Sequence, residues 1–163
     1  MSPDEQMQIR PIGTVENGIY RRPHWAWSGV RSIINVHPPY REAMKGLSEH
    51  THLYVLFWFH RLEAGDRATT RVHPMGRREL PLTGVFATHS PARPNPIGLT
   101  VCRLLEVGDL ALYVEDLDAL HGTPVIDIKG YSGGDARAGP GWQVRNSPSE
   151  SPREPRPNAP EGS

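Results

Sequence analysis

The chain has 163 residues, enough for one domain with a core of its own. Hydrophobic residues make up 37% and are accompanied by 17 Pro and 16 Gly, a composition too rich in chain breakers for a helical bundle and suited to a loop-rich β protein. Lys plus Arg and Asp plus Glu both total 18, which excludes a global electrostatic footprint for a nucleic acid, so any RNA contact must come from a local patch.

Taken in chain order, the opening M-S-P-D-E-Q-M-Q-I-R lacks the basic-then-apolar order of a signal peptide. Strand-like runs are predicted at residues 8–15, 30–36, 52–60, 68–73, 83–88, 99–107, 110–116 and 124–131. Between the first two, the loop Y-R-R-P-H-W-A-W-S-G sets Arg21 and Arg22 beside Trp25 and Trp27, cations for phosphates next to rings on which bases can stack. The same tryptophans could instead pack a barrel mouth. Residues 40–47, with Tyr40, Ala43, Met44 and Leu47 at helical spacing, form the one predicted helix. The run L-Y-V-L-F-W-F at residues 53–59 is apolar on both strand faces and far too short to cross a bilayer. Its outer face needs cover, which a homodimer would supply. A second basic stretch, R-V-H-P-M-G-R-R at residues 71–78, carries Arg77 and Arg78.

Residues 84–100 read G-V-F-A-T-H-S-P-A-R-P-N-P-I-G-L-T. A short β-branched and aromatic run breaks into a segment stiffened by Pro91, Pro94 and Pro96, so that Arg93 and Asn95 are presented at low entropic cost. Gly98 then permits a close approach to the backbone, as a ligand would require. Cys102, the single cysteine, excludes an intrachain disulfide, suits a reducing compartment and reads as strand core in L-T-V-C-R-L-L. In H-G-T-P-V-I-D-I-K-G-Y, residues 121–131, Asp127 sits among β-branched neighbours and needs either a wet face or a cation. From residue 132 onward the composition turns to Pro, Gly and Ser, with six prolines and four Arg against four acids, a disordered tail. The expected organisation is a domain over residues 1–131 and a tail over 132–163.

Many strands with one short helix predict a mainly β fold, a closed or nearly closed barrel of eight or more strands. No G-x-G-x-x-G follows a strand, so a Rossmann-type nucleotide site is disfavoured. The eight histidines lack the Cys pairs of a conventional ligand set, and no metal site is expected.

Four segments then carry a resemblance. V-F-A-T-x-S-P-x-R-P-N-P-I-G-L at residues 85–99 and G-T-P-V-x-D-I-K at 122–129 are accompanied by I-G-T-V at 12–15 and G-L-S-x-x-x-H-L-Y-V-L-F-x-F-H at 46–60. Together they closely resemble the TrmO family, also called TsaA-like or VirR-like, across residues 8–131. The resemblance implies a cytoplasmic, dimeric β-barrel methyltransferase that uses S-adenosylmethionine and no metal. It implies a cofactor pocket at His60, Arg61, His89, Leu99, His121, Gly122, Thr123 and Pro124. Arg93 and Asn95 match the family's Arg-Pro-Asn motif as pocket organisers or acceptor contacts, and with Asp127 they make up the candidate catalytic set. Asp127 would pair with Arg93, or face the sulfonium or an acceptor proton. Methyl transfer is an in-line displacement at an already activated carbon, so the protein mainly aligns donor and acceptor.

The chain departs from the family at His89 (usually Arg), His121 (usually Asp) and Gly130 (usually Pro), and in the Tyr20-to-Gly29 loop. Well-studied members methylate N6-threonylcarbamoyladenosine beside the tRNA anticodon. Three classes stay open at this point: a tRNA methyltransferase, a methyltransferase for a small metabolite, and a non-catalytic S-adenosylmethionine-binding protein.

Overall fold

The computed structural model describes residues 6–23 and 27–131. The predicted tail at 132–163 lies outside the described residues. The described residues form eight strands: β1 (Gly13–Glu16), β2 (Arg31–Val36), β3 (His52–Trp58), β4 (Arg71–Val72), β5 (Thr83–Gly84), β6 (Ile97–Val107), β7 (Ala111–Glu115) and β8 (Pro124–Gly130). Six of them close an antiparallel barrel in the order β1-β2-β7-β6-β3-β8, sealed where Gly13 and Thr14 pair with Val125 and Pro124.

The mainly β expectation holds, but the barrel has six strands rather than eight or more. The runs at 68–73 and 83–88 shrink to the two-residue β4 and β5, which pair with each other in a separate ribbon. Prolines 74 and 81 stop the ladder on either side of that connection. The run V-F-A winds into a 3₁₀ turn at Val85–Ala87, where the Thr88 hydroxyl donates to Val85 O at 2.9 Å. The first run keeps only its second half, since Pro11 has no N–H to give a ladder. The helix predicted at 40–47 is a 3₁₀ segment, Pro38–Met44, followed by a second short turn, Leu47–Glu49. Two leading prolines and Gly46, at φ 87°, leave no room for an α-helix. Tyr40, Met44 and Leu47 nevertheless pack on the core from these turns.

The barrel interior is filled by alternate residues of each strand. In β3, Leu53, Val55 and Phe57 are buried while Tyr54, Leu56 and Trp58 point outward. Val15, Ile34, Cys102, Leu112, Val114 and Val125 complete the filling. Cys102 is core, as expected, and desolvation pushes its thiol up to about 12. Gly98 is required by packing: a Cβ there would overlap the ring of Phe57. The close approach expected of a ligand is made by a core aromatic instead.

The two barrel ends differ. At one end the connections are the 3₁₀ turns between β2 and β3 and the tight β6–β7 turn, with Met44 buried beneath them. At the other end three long connections emerge: β1 to β2, β3 to β6 by way of the ribbon, and β7 to β8. Nearly every sequence motif singled out above lies on those three.

Candidate active site

The turn between β7 and β8 anchors the open end. Gly122 takes φ 80°, a left-handed conformation that favours glycine, and its N–H reaches Val15 O at 2.8 Å. His121 N donates to Ile19 O at 2.7 Å, tying this turn to the β1–β2 connection. The His121 Nδ1 accepts from the backbone N–H of both Asn17 (3.2 Å) and Gly18 (3.0 Å), which fixes its remaining proton on Nε2. His121 thus serves as the acceptor for both amides. Tyr20 lies over the imidazole, ring centroids 4.7 Å apart.

His60 and Arg61, at the end of β3, meet the same turn. Thr123 is buried, and its hydroxyl stands 3.4 Å from His60 Nδ1. Arg61 Nε donates to His60 Nε2 at 3.4 Å, and its guanidinium also donates to Tyr20 O. Burial, and then the charge of Arg61, hold the His60 imidazole below its ordinary pKa, so it is neutral at neutral pH. Six of the expected cofactor residues, His60, Arg61, His121, Gly122, Thr123 and Pro124, are therefore brought to one place.

The other two are not in that cluster. Leu99 is exposed on the outer face of β6, in a row with Leu56 and Asp127 by strand register. His89 is exposed on the proline-rich segment, and its charge acts on Asp118. That Asp118 was passed over in the sequence. Thr100 donates to its carboxylate, and desolvation raises it above the usual carboxylate value against the hydrogen bond from Thr100 and the charges of His89 and Arg22.

The candidate catalytic set separates into different jobs. Arg93 points inward to main chain: its guanidinium donates to Ser90 O (2.7 Å), Val85 O (2.9 Å) and Thr88 O (2.5 Å), locking the turn that carries Phe86 and His89. Asp127 does not take Arg93 as its cation. It pairs with Lys129 at 2.7 Å and accepts from Ile128 N on the outer face of β8. Asn95 is exposed, and its carbonyl accepts from Ile97 N at 2.7 Å.

Of the expected RNA contacts, Arg21, Arg22, Arg77 and Arg78 are exposed and Trp27 is half-buried. Trp25 lies outside the described residues. Arg77 is engaged by Glu79 at 2.6 Å. Arg21, Arg71 and Arg78 form no ion pair among the described residues, where the pairs present are those of Arg31, Arg41, Arg77, Arg103 and Lys129. Among the described residues no three His, Cys, Asp or Glu side chains gather as a metal ligand set.

Gly130, the third departure from the family, has a packing cause. The His50 ring lies against its α-carbon, leaving no space for a Cβ, and His50 Nδ1 is 3.3 Å from Tyr131 O.

A six-stranded antiparallel barrel with these motifs at one end defines the class, and comparison with known proteins gives the family. Residues 14–134 match the family described as tRNA-methyltransferase O N-terminal domain, and the chain belongs to it. A protein of Methanothermobacter thermautotrophicus called "Probable S-adenosyl-L-methionine-binding protein" is 43% identical over 132 residues, covering 78% of this chain and 92% of that one. The human tRNA (adenine(37)-N6)-methyltransferase is 43% identical over 89 residues, 55% of this chain and 20% of the human one. The crystal structure of TrmO from Pseudomonas aeruginosa superposes with a TM-score of 0.64 at 28% identity, over 90% of this chain and 64% of that chain.

Proposed function

We propose that this protein methylates the N6 atom of a modified adenosine, N6-threonylcarbamoyladenosine, next to the tRNA anticodon. The reaction class is that of the family: the chain is an S-adenosylmethionine-dependent methyltransferase. The observation that carries the reading is the meeting of His60, Arg61, Tyr20, His121 and Thr123 at the open barrel end.

This donor set fits the cofactor. Arg61 offers a guanidinium for its carboxylate, Tyr20 an aromatic face for its adenine, and Thr123 and the backbone turn at Gly122 polar groups for its ribose. His60, held below its ordinary pKa, would add little positive charge to a site for a cationic cofactor. When bound, S-adenosylmethionine supplies an electrophilic methyl group. The chain's own residues hold and orient the two reactants, and Arg93 keeps the wall beside them rigid.

The acceptor assignment draws on the human relative's name and on the basic excursion between β3 and β6. The outer face formed by Tyr54, Leu56, Trp58 and Leu99 supports a homodimer, and a tRNA acceptor supports a cytoplasmic location. Labelled methyl transfer to tRNA carrying the threonylcarbamoyl group tests the reading, with light scattering for the dimer. Transfer is expected. Cofactor binding without transfer to any RNA would overturn the acceptor and leave a binding protein, the description used for the Methanothermobacter relative.

A further inference from the structure

Phe86 is 86% exposed, the most exposed large hydrophobic side chain among the described residues. An aromatic ring left in water is costly, and nothing in the surrounding turn requires one. The backbone that presents it is anything but loose. Val85 on one side is 2% exposed and wedged into the protein, and its N–H bonds to Thr70 O at 3.0 Å. On the other side Thr88 closes the 3₁₀ turn through both its N–H and its hydroxyl. Beneath it Arg93 donates to the carbonyls of Val85, Thr88 and Ser90. The ring is therefore held out from a fixed base, so a contact made with it costs little ordering entropy.

The charge of the β3–β6 connection that carries the ring narrows the class of partner. Residues 61–96 contain six Arg and no Lys, against Glu63, Asp66 and Glu79 as the acids, in a chain whose formal net charge is zero. Arg71 lies directly across the ribbon from Gly84, two residues before Phe86, and has no ion pair among the described residues. His89 follows three residues after Phe86, on the same clamped turn. A planar apolar face with one arginine, Arg71, across the ribbon and outside any ion pair among the described residues matches the composition of a single-stranded nucleotide: a ring to stack and a phosphate to pair.

Resting on the RNA reading above, we infer that Phe86 is a stacking platform for an unstacked base of the acceptor RNA, with Arg71 as its phosphate partner. Phe86 is thereby a positioning residue for the acceptor and has no part in holding the cofactor.

The test uses the full chain with Phe86→Ala, Phe86→Leu and Phe86→Trp, and an anticodon stem-loop RNA carrying N6-threonylcarbamoyladenosine. Affinity for that RNA is expected to fall about tenfold or more in the Ala and Leu variants and to persist in the Trp variant, the size and selectivity of a lost base–aromatic stack. Cofactor affinity by calorimetry, melting temperature and mass by light scattering are expected to stay at wild-type values. The salt dependence is expected to keep its slope in Phe86→Ala and to flatten in Arg71→Ala, because only the arginine displaces counterions. RNA affinity retained in Phe86→Leu would overturn stacking in favour of a plain apolar contact. A matching loss of cofactor affinity would move the ring into the cofactor site, and a halved mass would assign it to contact with a second copy; either overturns the inference. If wild type binds and methylates the RNA and Phe86→Ala does so equally, the inference alone falls. If wild type does neither, the RNA reading falls and takes the inference with it.

Discussion

The barrel and the excursion at residues 61–96 are held together by different forces. The barrel is an apolar object: Ile34, Leu53, Val55, Leu112, Val114 and Val125 are wholly shielded from water, and two neighbours pair with every strand. In the excursion only Val85 and Pro96 are buried, and the two-residue strands β4 and β5 add little. Order there comes from directed polar contacts, above all the three carbonyls gathered by Arg93. Arg67 adds a second tie, lying over Trp58 at 5.6 Å and donating to Pro94 O at 3.3 Å. Side chains that must meet a ligand can thus sit on a surface that is fixed without being buried.

The sharpest way to break this contrast is to damage each region by its own means. Phe57→Ala removes the ring that fills the barrel against Gly98 and is expected to cost about 3–5 kcal/mol in global unfolding by denaturant titration. Arg93→Ala is expected to act locally. Amide exchange at residues 85–97 is expected to accelerate by an amount equivalent to about 2–3 kcal/mol of lost protection, while β3 and β8 keep theirs. Arg93→Lys is expected to rescue little, because one ammonium cannot reproduce the planar fork that serves three carbonyls. Equal loss of protection in the barrel strands would dissolve the distinction between the regions.

A smaller effect probes the barrel's capped end. Gly130→Ala places a methyl group against the His50 ring and is expected to destabilise by about 1–3 kcal/mol. Combining it with His50→Ala is expected to recover much of that loss, a coupling that a double-mutant cycle measures directly. Additive losses would show that the glycine answers to its backbone and not to the imidazole.

The smallest expected effect is electrostatic and lies at the junction of the two regions. His60 is held below its ordinary value of 6.5, so in acid the unfolded chain takes up a proton before the folded one does. Stability contributed by the neutral imidazole is therefore present above that value and declines as pH falls below about 6.5 toward the folded pKa. Melting temperature between about pH 7.5 and pH 5.5 is expected to fall more in wild type than in His60→Gln. Parallel curves would remove His60 from the linkage.

Where the signal is local, it was legible. Runs of apolar, β-branched and aromatic residues bounded by turn residues located β2, β3, β6, β7 and β8 to within about two residues, the usual latitude at strand ends. β-branched content misled at 83–88, where V-F-A became a turn because the backbone carbonyls found an arginine and not a neighbouring strand. The motifs Gly122–Pro124 and His60–Arg61 were legible by resemblance. Their connection to Asn17 and Tyr20 was not, since His121 and Asn17 are separated by 104 positions and no local pattern announces the hydrogen bond. The same holds for Asp118, whose significance depends on Thr100, His89 and Arg22 arriving from three other parts of the chain. For Asp127 the local reading, a wet face or a cation, is met by the outer face of β8 and Lys129 two residues away, and only the pairing with Arg93 fails.

The direction of the strands has a practical consequence. β1 begins and β8 finishes at the end capped by the 3₁₀ turns, so both enter or leave the barrel opposite the mouth where Tyr20, His60 and His121 gather. A linker, fluorophore or bead attached at Tyr131 or just ahead of Ile12 begins its path at the rear of the barrel. Protein immobilised through either point turns the mouth of the barrel away from the support.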